Sequence, residues 1–199
     1  MNTQLATRTR IINTAAELFY QHGFESVGVQ KICSQAMVSK SSFYHFFVSK
    51  DEVAVAVVKA HWDQTQQEIT QLLATSLSPL QKIQSIFDHV FAVTELICEE
   101  QGEIFGCPFG NLASELSISN PVLREQMRLV FGYMTDFYID LIEQAKEQGE
   151  LAAALDASKT ANALVMLMQG MSIMGKIYND PTKMRRNGEY TLGLILGHI

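Results

Sequence analysis

The chain has 199 residues, 47% of them hydrophobic, and a net charge of −6, enough apolar material for one or two packed cores. No run of about 18 apolar residues occurs, which excludes a membrane-spanning helix, and the opening MNTQLATRTR lacks the apolar stretch of a signal peptide. Three cysteines, Cys33, Cys98 and Cys107, form an odd and sparse set. That points to a reducing cytoplasm rather than a disulfide framework, and no CxxC, HxxxH or HExxH spacing offers a metal site. Neither metal nor cofactor is expected.

The net charge hides an asymmetry. Residues 1–50 carry five basic and two acidic side chains, a balance of +3, whereas residues 51–199 carry ten basic and nineteen acidic, a balance of −9. A basic N-terminal segment on an acidic chain fits a nucleic-acid-binding head on a body that stays off the polyanion, and a chance fluctuation of a few charges is the plain alternative.

Helical periodicity runs throughout, without strand alternation, so the predicted class is all-α. The first helix, roughly 5–22, carries an apolar stripe at Ile12, Ala15, Ala16 and Phe19, flanked by Ile11 and Leu18, and Gly23 ends it. A short helix over about 28–35 turns Val29 and Ile32 inward. After AMV comes SKSSFYHFF (39–47), with a third helix at roughly 39–45. SKDE (49–52) is a capping-box sequence that starts a long helix over about 50–75. Ser78-Pro79, Asn120-Pro121 and Asp180-Pro181 each set an N-cap residue before a proline, predicting helices over about 79–100, 121–148 and 182–198. Pro108 in GCPFGN follows the same pattern and predicts a helix over 108–118 with Cys107 at its cap. A further helix covers 157–178.

Residues 28–45 read as helix–turn–helix. The second helix exposes Ser39, Lys40 and Ser42 near its N-terminus while Phe43, Phe46 and Phe47 pack inward, and Tyr44 and His45 sit at the rim. Small residues allow close approach to a DNA groove, and hydroxyls and a lysine bind phosphate oxygens. A helix of two turns needs several rings to anchor it. The plain alternative for Lys40, Tyr44 and His45 is a solvated helix end, which accounts for less of the pattern.

The stretch ELFYQHGFESVGVQKICSQAMVSKSSFYHFFVSKDEV closely resembles the tetracycline-repressor (TetR) family of bacterial transcriptional regulators, with FYQHGF, VSKSSFYHFF and SKDE in order and at fixed spacing. The resemblance implies an all-α homodimer of about nine helices per chain. Residues 1–48 would be a helix–turn–helix DNA-binding domain and residues 49–199 a regulatory, ligand-binding and dimerisation domain. It also implies DNA contacts from Gln30, Ser39, Lys40, Ser42, Tyr44, His45 and Lys50. Three places depart from the family pattern. Met37 and Ser41 stand where glycine is common, predicting a strained or reshaped turn at Met37. Val27 and Gly28 stand where a threonine is frequent, so one phosphate contact lacks its usual residue.

Beyond residue 76 the helix over 79–100 is expected to bury Leu80, Ile83, Phe87, Phe91 and Thr94. The helix over 121–148 is expected to bury Leu123, Met127, Phe131, Met134, Tyr138 and Leu141. MLMQGMSIMG (166–175) is methionine-rich, a feature of plain core and of adaptable pockets alike. On the pocket reading the lining is Phe87, Phe91, Phe109, Met127, Phe131, Met134, Met168 and Met171. The last two helices alternate small and large residues (Ala161, Gly170, Gly175, Gly193 and Gly197 beside Leu164, Leu192, Leu194 and Ile195), as a four-helix dimer seam would. Cys107 and Lys176 resemble the pair found in family members that sense electrophiles or oxidants. A thiolate at a helix N-cap faces unpaired N–H groups, which favour it. A structural cysteine is the competing reading.

The function these features predict is a cytoplasmic, sequence-specific DNA-binding regulator, a repressor released from operator DNA by a small hydrophobic or reactive ligand. The alternative is a DNA-binding structural protein of the same fold without an effector. An enzyme built on Cys107 with His89 or His61 is not expected, because no supporting constellation surrounds them and both histidines are expected on helix surfaces.

Overall fold

The computed structural model describes residues 3–197. Among them are nine helices and no strand: α1 (Thr3–His22), α2 (Val29–Gln35), α3 (Lys40–Phe46), α4 (Lys50–Leu73), α5 (Pro79–Gln101), α6 (Pro108–Leu116), α7 (Pro121–Glu147), α8 (Ala157–Tyr178) and α9 (Pro181–Leu196). Each of the four prolines opens a helix, where its missing N–H has no intrahelical partner to lose. Three of the preceding residues cap as expected. Ser78 accepts the Gln81 N–H at 3.3 Å, Asn120 that of Leu123 at 2.9 Å and Asp180 that of Lys183 at 2.8 Å. At α4 the Ser49 hydroxyl accepts the Glu52 N–H at 3.2 Å. The Glu52 carboxylate reaches back to the Val48 N–H at 2.7 Å, one residue beyond the place a capping box gives it. Residue 198, the expected end of the last helix, lies outside the described residues.

The chain forms two compact units. One joins the residues up to Glu68 with Pro108–Leu129, and the other joins Ile69–Cys107 with the residues from Val130 onward. Thus α6 and the first turns of α7 group with the N-terminal helices.

In the first unit α1 buries Ile11, Ile12, Ala15, Leu18 and Phe19, a wider face than the four-residue stripe. Phe43 and Phe47 are wholly buried, each contributing about 2–3 kcal/mol of hydrophobic stabilisation, whereas Phe46 is only half-buried. His61 departs from expectation. Instead of lying on a helix surface it is half-buried, its ring 4.7 Å from that of Phe109 in α6. Burial holds its pKa below the ordinary histidine value, with Glu68 pulling the other way. His89 is exposed, as expected.

In the second unit α5, α7, α8 and α9 share a core that includes Ile83, Phe87, Phe91, Tyr138, Leu141 and Leu164. Leu80, Thr94, Phe131 and Met134 are half-buried rather than buried. Gly188 lets α9 approach α5 closely, since a Cβ there would stand 2.6 Å from the Phe91 ring. Arg185 secures the same contact. It donates to both Glu95 oxygens at 2.8 and 3.0 Å, and its guanidinium lies 5.0 Å from the Phe91 centroid.

Candidate nucleic-acid interface

The local sequence explains the shape of the head. Gly28 caps α2 in extended backbone, and α2 ends at Ala36. The Met37 N–H then bonds the Ser34 carbonyl at 3.2 Å and the Val38 N–H bonds that of Cys33 at 3.0 Å, the paired closure of a Schellman turn. This closure requires a left-handed residue, and Met37 supplies it at φ 53° with its side chain 81% exposed. The turn is therefore regular in shape and strained in one residue. Ser39 caps α3, accepting the Ser42 N–H at 3.0 Å, with its hydroxyl 2.9 Å from that of Ser41.

On α3, Lys40, Ser41, Tyr44 and His45 are exposed along one face, and Phe43 and Phe47 are buried behind it. The Tyr44 ring is held edge-on against Phe43 at 5.3 Å, which fixes where its hydroxyl points. Gln30 and Ser39 are exposed and Ser42 is half-buried. Lys50 is placed differently from a free phosphate ligand. Its ammonium donates to the Phe24 carbonyl at 2.9 Å and sits 3.9 Å over the Phe24 ring, tying the α1–α2 turn to the start of α4. Two exposed groups escaped the residue-by-residue reading. Ser41 shares the first turn of α3, and the Arg8 guanidinium lies 5.1 Å from the Phe47 centroid. Only the basic balance of residues 1–50 hinted at Arg8.

The residues assigned to a ligand pocket are divided between the two units. Phe87 and Phe91 are buried in the core of the second unit, and Met168 packs against that core. Phe109 and Met127 are buried in the other unit. A groove of about 240 Å³ runs instead between α8 and α9, lined by Leu167, Met171, Met174, Tyr178, Met184 and neighbours, and of the eight residues only Met171 lines it. Beside it α8 and α9 turn large apolar side chains outward, including Met166 (71% exposed), Ile173, Ile177 (66%), Tyr190 and Leu194 (52%). Cys107 is half-buried immediately before α6, and its sulfur accepts a hydrogen bond from the Gln169 amide at 3.5 Å. No sequence spacing signals that partner, 62 residues away. Lys176, two turns beyond Gln169 on α8, is exposed.

A short, aromatic-backed helix presenting hydroxyls and a lysine, set after a tight turn in a small helical head, defines a helix–turn–helix DNA-binding regulator. Residues 11–57 match the family described as bacterial regulatory proteins, tetR family, and residues 79–190, more than half of the chain, match the tetracyclin repressor-like C-terminal domain. The chain belongs to the TetR family of transcriptional regulators. Among its relatives are the HTH-type transcriptional regulator UidR of Escherichia coli (strain K12), 26% identical over 83% of this chain and 79% of the relative. Another is the HTH-type transcriptional repressor NemR of the same strain, 29% identical over 88% of this chain and 87% of the relative. The regulatory protein TetR from Rhodobacter sphaeroides superposes with a TM-score of 0.83 at 26% identity, covering 94% of this chain and 97% of that one. The reduced form of E. coli NemR gives 0.80 at 24% identity over 96% and 97%, a likeness of fold. No described helix is long and apolar enough to cross a membrane.

Proposed function

We propose that the protein is a cytoplasmic homodimeric repressor that binds operator DNA through its α3 helices and leaves it on meeting a small hydrophobic or reactive molecule. The observation that carries this reading is the exposed face of α3, with Lys40, Ser41, Tyr44 and His45 in front of buried Phe43 and Phe47. In this reading residues 1–48 are the DNA-binding domain and 49–199 the regulatory domain. Gln30, Ser39, Lys40, Ser42, Tyr44 and His45 face the DNA, and Lys50 stabilises the head while remaining near a phosphate. The outward apolar faces of α8 and α9 pair with those of a second copy, since exposed apolar surface of this extent is otherwise unfavourable in water. The dimer sets its two α3 helices roughly 34–36 Å apart, one turn of B-DNA.

Cys107 is the proposed sensing residue and Lys176 its helper. The half-buried position of Cys107, the amide donor Gln169 on its sulfur and its place just before α6 support the assignment. Modification would shift the population of dimers toward a head spacing that no longer fits the operator.

The test is selection of bound duplexes from a random-sequence pool, followed by titration of the winning site by fluorescence anisotropy. One preferred palindromic site bound by a dimer is expected. Equal binding of all duplexes would reject sequence-specific regulation. Release of that site by a thiol-reactive or hydrophobic compound separates the effector-controlled repressor from a structural DNA-binding protein.

A further inference from the structure

The corner between α8 and α9 is two residues wide. Asn179 is the C-cap of α8, in left-handed backbone at φ 48° and ψ 41°, and Asp180 is already the N-cap of α9. The direction in which α9 leaves α8 is therefore set by these two residues, of which Asn179 is the left-handed one. The same residue's side chain reaches the loop between α5 and α6, 75 residues earlier in the chain. Its oxygen accepts the Ile104 N–H at 2.8 Å, and its amide nitrogen donates to the Gly102 carbonyl at 2.8 Å. Gly102 is the left-handed C-cap of α5, so the cap of one helix satisfies a terminal carbonyl of the other.

Packing reinforces these two bonds. Ile104 is 4% exposed and lies over Gly175, where a Cβ would stand 3.6 Å from Ile104 and 2.6 Å from the Met184 sulfur of α9. At its far end the loop is held again, by the Gln169 amide on the Cys107 sulfur. The whole segment 102–107 is thus fastened along the last three turns of α8. Tyr178, Asp180 and Lys183, which adjoin the corner, also line the groove on the α8–α9 face.

We propose that Asn179 is a positioning residue that makes the α5–α6 loop and the α8–α9 face share one conformational state, so that displacing the loop alters the surface that pairs with a second copy. The step from corner to dimer rests on the reading of that face given above. The mechanical step, from loop to corner, does not.

The variant that isolates the side chain is Asn179→Gly, because glycine keeps the left-handed backbone and the cap N–H bond to Gly175 while removing both side-chain bonds. Hydrogen exchange of the full chain is followed by mass spectrometry, and dimer dissociation by analytical ultracentrifugation. Exchange should accelerate about tenfold or more both in 102–107 and in the first turn of α9, as expected when two hydrogen bonds are lost from one cooperative unit. The dimer dissociation constant should rise several-fold. Acceleration confined to 102–107, with α9 and dimerisation at wild-type values, overturns the proposal. If the wild type is itself a monomer, the reading of the α8–α9 face fails, and the paired exchange at α9 still decides whether loop and corner move together. Asn179→Asp covers the case in which the glycine variant does not fold. It keeps an acceptor for Ile104 and loses the donor to Gly102, so both segments should loosen by a smaller factor. Loosening of the loop alone in that variant overturns the proposal equally.

Discussion

Glu115, in the last turn of α6, accepts the backbone N–H of Glu25 at 3.0 Å. One acidic residue thus supports the main chain of another across 90 positions of sequence. The carboxylate also lies over Gly23, where a Cβ would stand 3.2 Å from it and where φ is 80°, so the α1–α2 turn has little room for a side chain at that point. Replacing Glu115 with Ala should cost about 1 kcal/mol of stability, the usual net value of such a bond. It should also speed amide exchange at Glu25. Glu115→Gln keeps a carbonyl acceptor and should recover most of both effects. Urea unfolding combined with exchange measurements checks this, and an unchanged Glu25 amide in the alanine variant would show that the contact does not hold the turn.

Lys40→Ala and Tyr44→Phe should each weaken operator binding by about 1–2 kcal/mol while leaving dimerisation and melting almost unchanged, because both side chains are exposed on α3. Loss of Lys40 should also flatten the dependence of log affinity on log salt by about one unit per subunit if its ammonium meets a phosphate. Titrations at several salt concentrations give both numbers. An unaltered affinity and slope would remove α3 from the interface.

Met37→Gly should stabilise the head by about 1 kcal/mol. The left-handed backbone costs a side-chain-bearing residue about 1–2 kcal/mol, and glycine returns part of that gain through its freer unfolded state. The 81% exposed methionine has almost no packing to lose. Thermal melts read the effect directly. If the glycine variant melts lower, Met37 makes a contribution in the native state that outweighs its strain.

Much of this architecture was legible because it is local. A proline after Ser, Asn or Asp marks a helix start by a mechanism that involves only neighbouring atoms, and the three such prolines obey it, while Pro108, after Cys107, opens a helix as well. The anchoring of α3 was legible from the positions of Phe43 and Phe47. The groove between α8 and α9 was not, because apolar residues recur at helical spacing whether they face a packed core, as Phe87 and Phe91 do, or a groove, as Met171 and Met174 do. The tethers that organise both units were equally hidden. Lys50 on Phe24, Glu115 on Glu25 and Asn179 on Gly102 and Ile104 join segments far apart in sequence, and polar pairs at such separations leave no periodic trace. Half-burial of His61 followed from α6 grouping with α4, which no local pattern announces.

Leu194→Glu should convert the protein to monomers that no longer bind the operator. Leu194 is 52% exposed in the single chain, so the charge should not disturb the subunit's own core but would be buried in a paired α8–α9 face. Ile195 is a poorer choice, because it packs against the subunit's own core and a charge there would also unfold the monomer. Light scattering at micromolar concentration distinguishes the outcomes. A leucine variant that remains dimeric would place the subunit contact elsewhere.

Cys107 should react with N-ethylmaleimide faster than either other cysteine, and its modification should release the operator. Cys33 is buried, and burial pushes its thiol pKa up, which lowers its thiolate fraction despite the opposing pull of Lys40. Cys98 lies within α5, whereas Cys107 stands at the entrance to α6 with an amide donor on its sulfur. In the reaction the sulfur adds to the maleimide double bond, the thiol proton passes to water and the new carbon centre takes a proton in return. Gln169→Ala removes the hydrogen bond to the sulfur, which favours the thiolate, and should slow labelling, whereas Lys176→Ala tests the proposed helper independently. Cys107→Ser should stay on the operator under treatment that frees the wild type. Mass spectrometry identifies the labelled residue and anisotropy reports release. If the serine variant is freed as readily, the thiol is not the switch, and a non-covalent ligand becomes the effector to seek.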